Sequence, residues 1–330
     1  MRKALRSFCD MLPILALHIP DGFLSVPVAA AGWLMMLALV GVALRQTRDQ
    51  LGERQIPLMG ILAAFVFAAQ MINFPVAGGT SGHLIGGALV AVLLGPWAAV
   101  LVMTSVVGVQ ALLFQDGGLL ALGFNVVNMG IISAFVGYAA YAFTRRMMGE
   151  TFAATAVGAA AGAWLGVEAA AIATALQLAI SGTSPLDVAL PAMAGVHALV
   201  GIGEALITVG ALAFIRQTRP DLLGQPRGAA TRGAGWVAAG LLIALAVTLV
   251  SPLADPNLDG LERVAEDHGF SEAAQPPAYE ILPDYTVPFI EDAALTTIVS
   301  GIIGVLIVAG IGFGLARLVA PRRKETTGAG

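Results

Sequence analysis

The sequence predicts an all-α, polytopic helical membrane protein, and three observations lead to this fold class. The chain has 330 residues, of which 58% are hydrophobic and only 12% are charged, and its mean hydropathy is +0.85. Long apolar runs recur along almost its whole length, and its arginines gather in the short polar segments between alternate runs. Soluble domains do not combine such apolarity with such sparse charge, so that class of protein is excluded.

Nine apolar runs are the candidate membrane spans, about seven in a core and two near the C-terminus. The core runs are residues 26–44, 57–73, 83–94, 96–114, 119–143, 152–180 and 188–215, and the C-terminal pair are residues 235–250 and 293–315. Most approach the ~20 residues that a helix needs to cross a hydrocarbon core. Gly158, Gly162 and Gly166 recur on one face of the sixth run, which predicts close packing against a neighbouring helix.

The positions of the basic residues orient these runs. One side receives Arg45, Arg48, Arg54, Arg145, Arg146, Arg216, Arg219, Arg227, Arg232, Arg317, Arg322, Arg323 and Lys324. By the positive-inside rule that side is the cytoplasm. The opposite side receives His18, the loop 78–83, Asp116 and the insert 251–292, in which Arg263 is the one basic residue. We therefore expect a multi-pass protein of the cell (inner) membrane whose histidine-bearing loops face outside.

The stretch Leu17-His18-Ile19-Pro20-Asp21-Gly22 places an imidazole beside a polar turn. Proline fixes φ, aspartate bonds nearby backbone and glycine accepts a positive φ, so the segment bends sharply after His18. A lone histidine near a chain start is more often exposed and inert than a metal ligand. The residue alone leaves both interpretations open.

A second histidine, His83, ends a glycine-rich loop at residues 78–83 and precedes a short apolar run. Irregular backbone at membrane depth is tolerated where it lines a cavity. The spacing fits a histidine that caps the loop as well as one that binds metal. The sequence holds one cysteine, Cys9, which leaves no thiolate site and no disulfide framework. Any metal would therefore be bound by nitrogen and oxygen.

Further polar residues lie near the outer ends of the predicted spans. Those expected to orient the histidines or close the loops over the site are Asn73, Gln110 and Asp116. Asn125 and Asn128 could do the same, but for these two interhelical hydrogen bonding without a role at the site is the favoured interpretation. Glu168 lies in mid-span, and His197 and Glu204 lie two turns apart on one helix face. That face is expected to bury a polar contact, and the residues do not settle the roles of His197 and Glu204.

Four stretches between His18 and about Arg216 carry a family resemblance: LHIPDGFLS, NFPVAGGTSGHLIGG, FQDGGLLALGFNVVNMG and AGVHALVGIGEALIT. They resemble the CbiM/NikM family, the substrate-binding membrane components of energy-coupling-factor transporters for cobalt and nickel. The resemblance implies a four-nitrogen site made of the amine of Leu17, if it is the mature N-terminus, the amide nitrogen of His18, and the rings of His18 and His83. Such a set favours a square-planar ion, so Ni²⁺ is expected first and Co²⁺ second. The ion is the transported substrate, and no cofactor is implied.

A free amine at residue 17 requires that residues 1–16 be absent from the working protein. A signal peptidase could cut after Ala16, or translation could start at the codon of Leu17, read as methionine. We favour the second route because the apolar run from Met11 is short and contains Pro13.

The C-terminal part resembles a second module. Residues 257–267, NLDGLERVAED, are similar to the PDGLE (NikN-like) domain, with Leu258 where the motif has proline. The expected organisation is a leader (1–16), a metal-binding membrane domain (17–216), a cytoplasmic linker (217–234) and a two-span accessory domain (235–330). The acidic insert between its spans is interpreted mainly as a solvated face.

The expected function is that of a substrate-specific transport component rather than an enzyme. The sequence has no GxxxxGK[ST] motif for nucleotide hydrolysis. The resemblance implies a transmembrane coupling subunit (CbiQ/NikQ-like) and cytoplasmic ATPase subunits (CbiO/NikO-like) as partners, besides membrane lipid and no nucleic acid. Two alternatives stay open: an intramembrane metalloenzyme, for which no HEXXH pattern is present, and a passive channel, which ATP dependence of uptake would exclude.

Overall fold

The computed structural model describes residues 18–48, 52, 55–223 and 235–320. Within these ranges the helices are α1 Val26–Arg48, α2 Gln55–Gln70, α3 Gly87–Leu94, α4 Pro96–Phe114, α5 Leu122–Met148, α6 Phe152–Ser181, α7 Leu186–Thr218, α8 Gly235–Thr248, α9 Gly260–Asp267 and α10 Ala293–Val319. The last turn of α4 (Gln110–Phe114) and a segment of α5 (Val127–Ile132) are π-helical. Strands β1 (Phe74–Val76) and β2 (Thr80–Gly82) form one antiparallel hairpin.

Seven of the described helices are long and apolar enough to cross a membrane, namely α1, α4, α5, α6, α7, α10 and the stretch Gly235–Leu253 that contains α8. The predicted all-α, polytopic fold is confirmed. Two predicted spans are shorter than expected, since α2 has 16 residues and α3 has 8. The prediction that a helical span begins at His83 is wrong. The helix begins at Gly87 because Gly86 has a left-handed φ of 84°.

Glycines let α6 approach α5 closely, as the sequence predicted. A Cβ added at Gly158 would lie 3.0 Å from the carbonyl oxygen of Tyr141, and one at Gly166 would lie 2.9 Å from that of Ser133. At Gly162 the added carbon would overlap the backbone of Gly137. Lipid supplies no hydrophobic drive between helices, so this backbone contact is what packs the pair.

The C-terminal region (residues 235–320) packs along α2 and reaches both ends of the bundle. A Cβ at Gly60 of α2 would lie 2.9 Å from the carbonyl oxygen of Ala309 in α10. At one end, the Arg219 guanidinium lies 4.2 Å from the centre of the Trp236 ring, a cation–π contact between the end of α7 and the start of α8. At the other end, the insert between α8 and α10 lies against the segments that carry His18 and His83.

Candidate metal centre

The His18 segment is buried and held by its backbone. His18 is only 3% exposed. The side chain of Asn125 bonds both main-chain groups of the next residue, accepting from Ile19 N and donating to Ile19 O at 3.0 Å each. The amide of Gly118 also donates to Ile19 O, at 2.9 Å. Asn125 therefore holds the histidine segment, which is the alternative that the sequence left open beside the favoured interhelical interpretation.

Asp21 joins the His18 segment to the chain that carries Asp116. Its carboxylate accepts hydrogen bonds from the amides of Leu119, Leu120 and Ala121 at 3.2, 2.8 and 3.2 Å. We expected this aspartate to bond backbone of its own turn, and the structure shows its carboxylate bonding another loop. At Gly117, where φ is 92°, a Cβ would lie 2.8 Å from that of His18. Only glycine fits this close approach.

Asp116 orients the His18 ring, as the sequence predicted. His18 Nδ1 donates to Asp116 Oδ1 at 2.9 Å, and the Tyr285 hydroxyl donates to Oδ2 at 2.6 Å. Burial by itself would raise the pKa of Asp116, but the neighbouring His18 and the two hydrogen bonds hold it below its ordinary value. An ionised carboxylate requires a proton on Nδ1, which leaves the lone pair of the ring on Nε2.

His18 Nε2 is buried and has no hydrogen-bond partner among the described parts of the chain. A buried polar atom without a partner costs free energy, typically about 1–3 kcal/mol. The ring lines a cavity of about 70 Å³. Such a nitrogen is chemically ready to bind an electrophile that enters this cavity.

His83 reaches the same cavity from an irregular segment. The hairpin before it turns through Gly78 and Gly79, with φ of 77° and 72°. The amides of Ile85 and Gly86 donate to the Glu204 carboxylate at 2.6 and 2.8 Å, and Gln70 Nε2 donates to Ile85 O at 2.8 Å. These bonds satisfy backbone polar groups that have no partners within a helix or a sheet at this depth.

The two imidazoles meet across the cavity. Their ring centres are 5.6 Å apart and their planes are inclined by 67°. His83 Nδ1 lies 3.1 Å from the carbonyl oxygen of Leu84, to which it donates, so its lone pair is on Nε2. No group of three or more His, Cys, Asp or Glu side chains suited to a metal ion occurs in the described ranges. Two imidazoles would need further donors from the main chain or solvent to complete a coordination shell.

The other residues predicted at or near the site are Gln110, Asn73 and Leu17. Gln110 is buried; its Nε2 donates to the Tyr285 hydroxyl at 3.3 Å, and its main-chain oxygen accepts from the amide of Asp116 at 3.1 Å. Asn73 contributes its main-chain oxygen, which accepts from the amide of Asp255 at 2.9 Å. Leu17 lies outside the described residues.

Some polar residues of the long helices bond between helices, and others lie at the cavity or bond the His83 segment. Asn128 bonds Gln177 and Thr174 between helices, as expected. His197 lines the cavity and donates from Nδ1 to the Met193 carbonyl at 2.8 Å. Glu204, whose role the sequence left open, holds the His83 segment.

The acidic insert forms one wall of the cavity. Ser81 bonds the carbonyls of Leu258 and Asn257 through its amide and hydroxyl, at 2.8 and 2.7 Å. Asp259 is 3% exposed and caps α9, and burial raises its pKa to about 7. A Cβ at Gly260 would lie 2.8 Å from the ring of His197. The interpretation of the insert as a solvated face is wrong at the end that contains Asp259, which is buried. Sequence composition does not reveal which residues of an acidic insert are buried.

Comparisons with known proteins identify the family of the chain. Residues 18–222 match the model of the family described as the cobalt uptake substrate-specific transmembrane region, CbiM, and residues 234–321 match the PDGLE domain. A protein of Archaeoglobus fulgidus, provisionally named a fused nickel transport protein NikMN, is 40% identical over 91% of this chain and 98% of its own. The fused nickel transport protein NikMN of Rhodobacter capsulatus is 31% identical over 93% and 99%.

One further relative and one solved structure match a shorter part. The cobalt transport protein CbiM of Sorangium cellulosum is 35% identical over 63% of this chain and 94% of its own. The crystal structure of a truncated transition metal transporter superposes with a TM-score of 0.55 at 37% identity, covering 61% of this chain and 99% of that one. The chain therefore belongs to the CbiM family of substrate-specific membrane proteins and carries a C-terminal PDGLE domain.

Proposed function

We propose that the chain is the substrate-specific component of an ATP-driven uptake transporter of the energy-coupling-factor type, for Ni²⁺ first and Co²⁺ second. That it is a metal transporter component follows from its family. The observation that carries the finer proposal is the buried Nε2 of His18, which lines the same small cavity as the His83 ring. Imidazole nitrogen suits late first-row divalent ions and does not suit Ca²⁺ or Mg²⁺, which prefer oxygen.

The proposed ligand set is the amine of residue 17, the amide nitrogen of His18 and the two ring nitrogens Nε2. Two rings alone would not complete a site, which supports donors from the main chain. Nickel is placed first because four nitrogens favour a square-planar ion. Two fused relatives named for nickel transport also span both parts of this chain, over 91% and 93% of its length.

Energy would come from partners, namely a transmembrane coupling subunit and paired cytoplasmic ATPases. In the proposed topology the His18 and His83 segments face outside, and the segment 217–234 is a cytoplasmic linker between a metal-binding domain (17–216) and an accessory domain (235–330). The arginines at the ends of α1, α5, α7 and α10 support this orientation.

Uptake of radioactive nickel at trace concentration by cells that also express the coupling and ATPase subunits tests the proposal. His83→Ala removes one ring of the site and is expected to abolish ATP-dependent accumulation, because the remaining donors no longer form a four-nitrogen site. His268→Ala is the matched control, since this imidazole is exposed and lies outside the cavity lining. Near-normal uptake by His83→Ala, or wild-type uptake that persists without ATP, would contradict the proposal.

The proposed ligand set also predicts the mature start of the protein. Intact-mass measurement of the membrane-extracted, nickel-binding protein is expected to give a chain that begins at residue 17. A chain that still carries residues 2–16 and binds nickel with unreduced affinity would remove the amine from the ligand set. The ring nitrogens would then need other donor atoms to complete the coordination shell.

A further inference from the structure

A chain of hydrogen bonds leads from the PDGLE domain to the metal centre. Tyr285 belongs to the insert between α8 and α10, and its hydroxyl donates to Asp116 Oδ2 at 2.6 Å. The other oxygen of the same carboxylate accepts from His18 Nδ1 at 2.9 Å. Each oxygen of Asp116 is thus bonded from a different part of the protein. The carboxylate cannot rotate without losing one of the two bonds.

The tyrosine itself is fixed from several directions. Its ring stacks on Phe114 with centres 4.6 Å apart and planes inclined by 16°. Gln110 Nε2 donates to its hydroxyl at 3.3 Å, and the Ser300 hydroxyl donates to its main-chain oxygen at 2.5 Å. Because the ring, the hydroxyl and the backbone of Tyr285 are all held, its hydroxyl points in one direction. A group that orients another residue must be fixed in this way.

The backbone of Tyr285 supports a specific role. Asp284 and Tyr285 adopt φ of 49° and 56°, the left-handed region that side chains other than glycine rarely enter. Two successive residues of this kind are strained. Such a conformation persists only where surrounding contacts determine it, and here the contacts of the ring and hydroxyl do so.

We propose that Tyr285 is a positioning residue of the metal centre, through which the PDGLE domain sets the affinity of the membrane domain for its ion. Its hydroxyl holds Asp116, Asp116 holds the His18 ring, and the ring presents Nε2 to the cavity. The inference rests on the proposed function, in which His18 binds the transported ion. Residues that orient a ligating histidine typically change metal affinity by about 10- to 100-fold when they are removed.

The test uses the purified full-length protein and Ni²⁺ alone, with binding measured by calorimetry and by the visible absorption of the bound ion. Tyr285→Phe keeps the stacking on Phe114 and removes the hydroxyl, and it is expected to raise the Kd by about tenfold and to shift the nickel absorption. The matched control is Tyr279→Phe. Tyr279 also reaches from the insert to the membrane domain, but its hydroxyl donates to the Leu112 carbonyl at 2.9 Å. The control is expected to leave both signals unchanged.

A double variant separates positioning from general support of the fold. If Tyr285 acts through Asp116, adding Tyr285→Phe to Asp116→Asn is expected to weaken binding no further than Asp116→Asn alone. Additive losses, or equal effects of the Tyr285 and Tyr279 variants, would overturn the inference while wild-type binding stands. Wild-type protein that binds neither Ni²⁺ nor Co²⁺ would instead overturn the proposed function.

Discussion

The segments that carry His18 and His83 reach one cavity but are held in different ways. At His18 the ring itself is bonded to a carboxylate, Asp116, and the adjacent backbone is held by an amide, Asn125. At His83 the ring bonds the neighbouring Leu84 carbonyl, and a carboxylate, Glu204, holds the backbone beyond it. A carboxylate bonded to a histidine ring raises the basicity of that ring and fixes its tautomer, whereas a carboxylate bonded to main-chain amides fixes the path of the backbone. Substitutions in the two segments should therefore differ in the size of their effects on stability and on nickel affinity.

The largest expected effect is that of Glu204→Ala. It leaves the buried amides of Ile85 and Gly86 without acceptors, at roughly 1–3 kcal/mol each. We expect a lower midpoint of thermal unfolding in detergent and loss of nickel binding, because the His83 segment is no longer held. Glu168→Ala is the matched control, since Glu168 is also buried in a long helix and its Oε1 accepts no hydrogen bond among the described residues. Unchanged unfolding of Glu204→Ala would show that the path of the loop does not depend on the carboxylate.

An intermediate effect is expected for Asn125→Ala. It removes both bonds to Ile19, so the unfolding free energy should fall by about 1–3 kcal/mol and the nickel Kd should rise. Asn128→Ala offers a direct comparison in the same helix, because Asn128 bonds Gln177 and Thr174 instead of the His18 segment. It should lose similar stability and keep its nickel affinity. Parallel losses of affinity in both variants would mean that Asn125 has no particular role at His18.

The smallest effect is expected for Gln70→Met, which removes the donor to Ile85 O and nearly conserves volume. A neutral hydrogen bond contributes about 0.5–1.5 kcal/mol, less than a bond to a charged group. Thermal unfolding should shift slightly, and nickel binding should be almost unchanged because Glu204 still holds the segment. If Gln70→Met damaged binding as much as Glu204→Ala, the backbone of the His83 segment would be held equally by both residues.

The sequence predicted the parts of this molecule that depend on composition and local pattern. Apolar runs and arginine positions indicated the helices, and the glycines of α6 indicated its close packing. Asp116 was expected to orient a histidine and does so for His18. Binding of the ion by His18 and His83 stays a prediction.

The supporting contacts could not be predicted, because they join residues far apart in the chain. Glu204 and Ile85 are separated by 119 positions, and no periodicity says which helix face meets which loop. Tyr285 is one of two tyrosines in an acidic insert. Neither its residue type nor its neighbours in the sequence indicated a role at the site. The later start of α3, after the left-handed Gly86, likewise lies beside amides that donate to the distant Glu204.

The two ends of the C-terminal region each touch the rest of the chain, through Trp236 on Arg219 at one end and Tyr285 on Asp116 at the other. Joining the two domains in one polypeptide adds to these contacts, and to the packing of α10 along α2, an effective local concentration of order millimolar for a short connection. The fused chain therefore keeps its PDGLE domain beside the membrane domain through an intramolecular contact, and its occupancy does not depend on the expression level of a second gene.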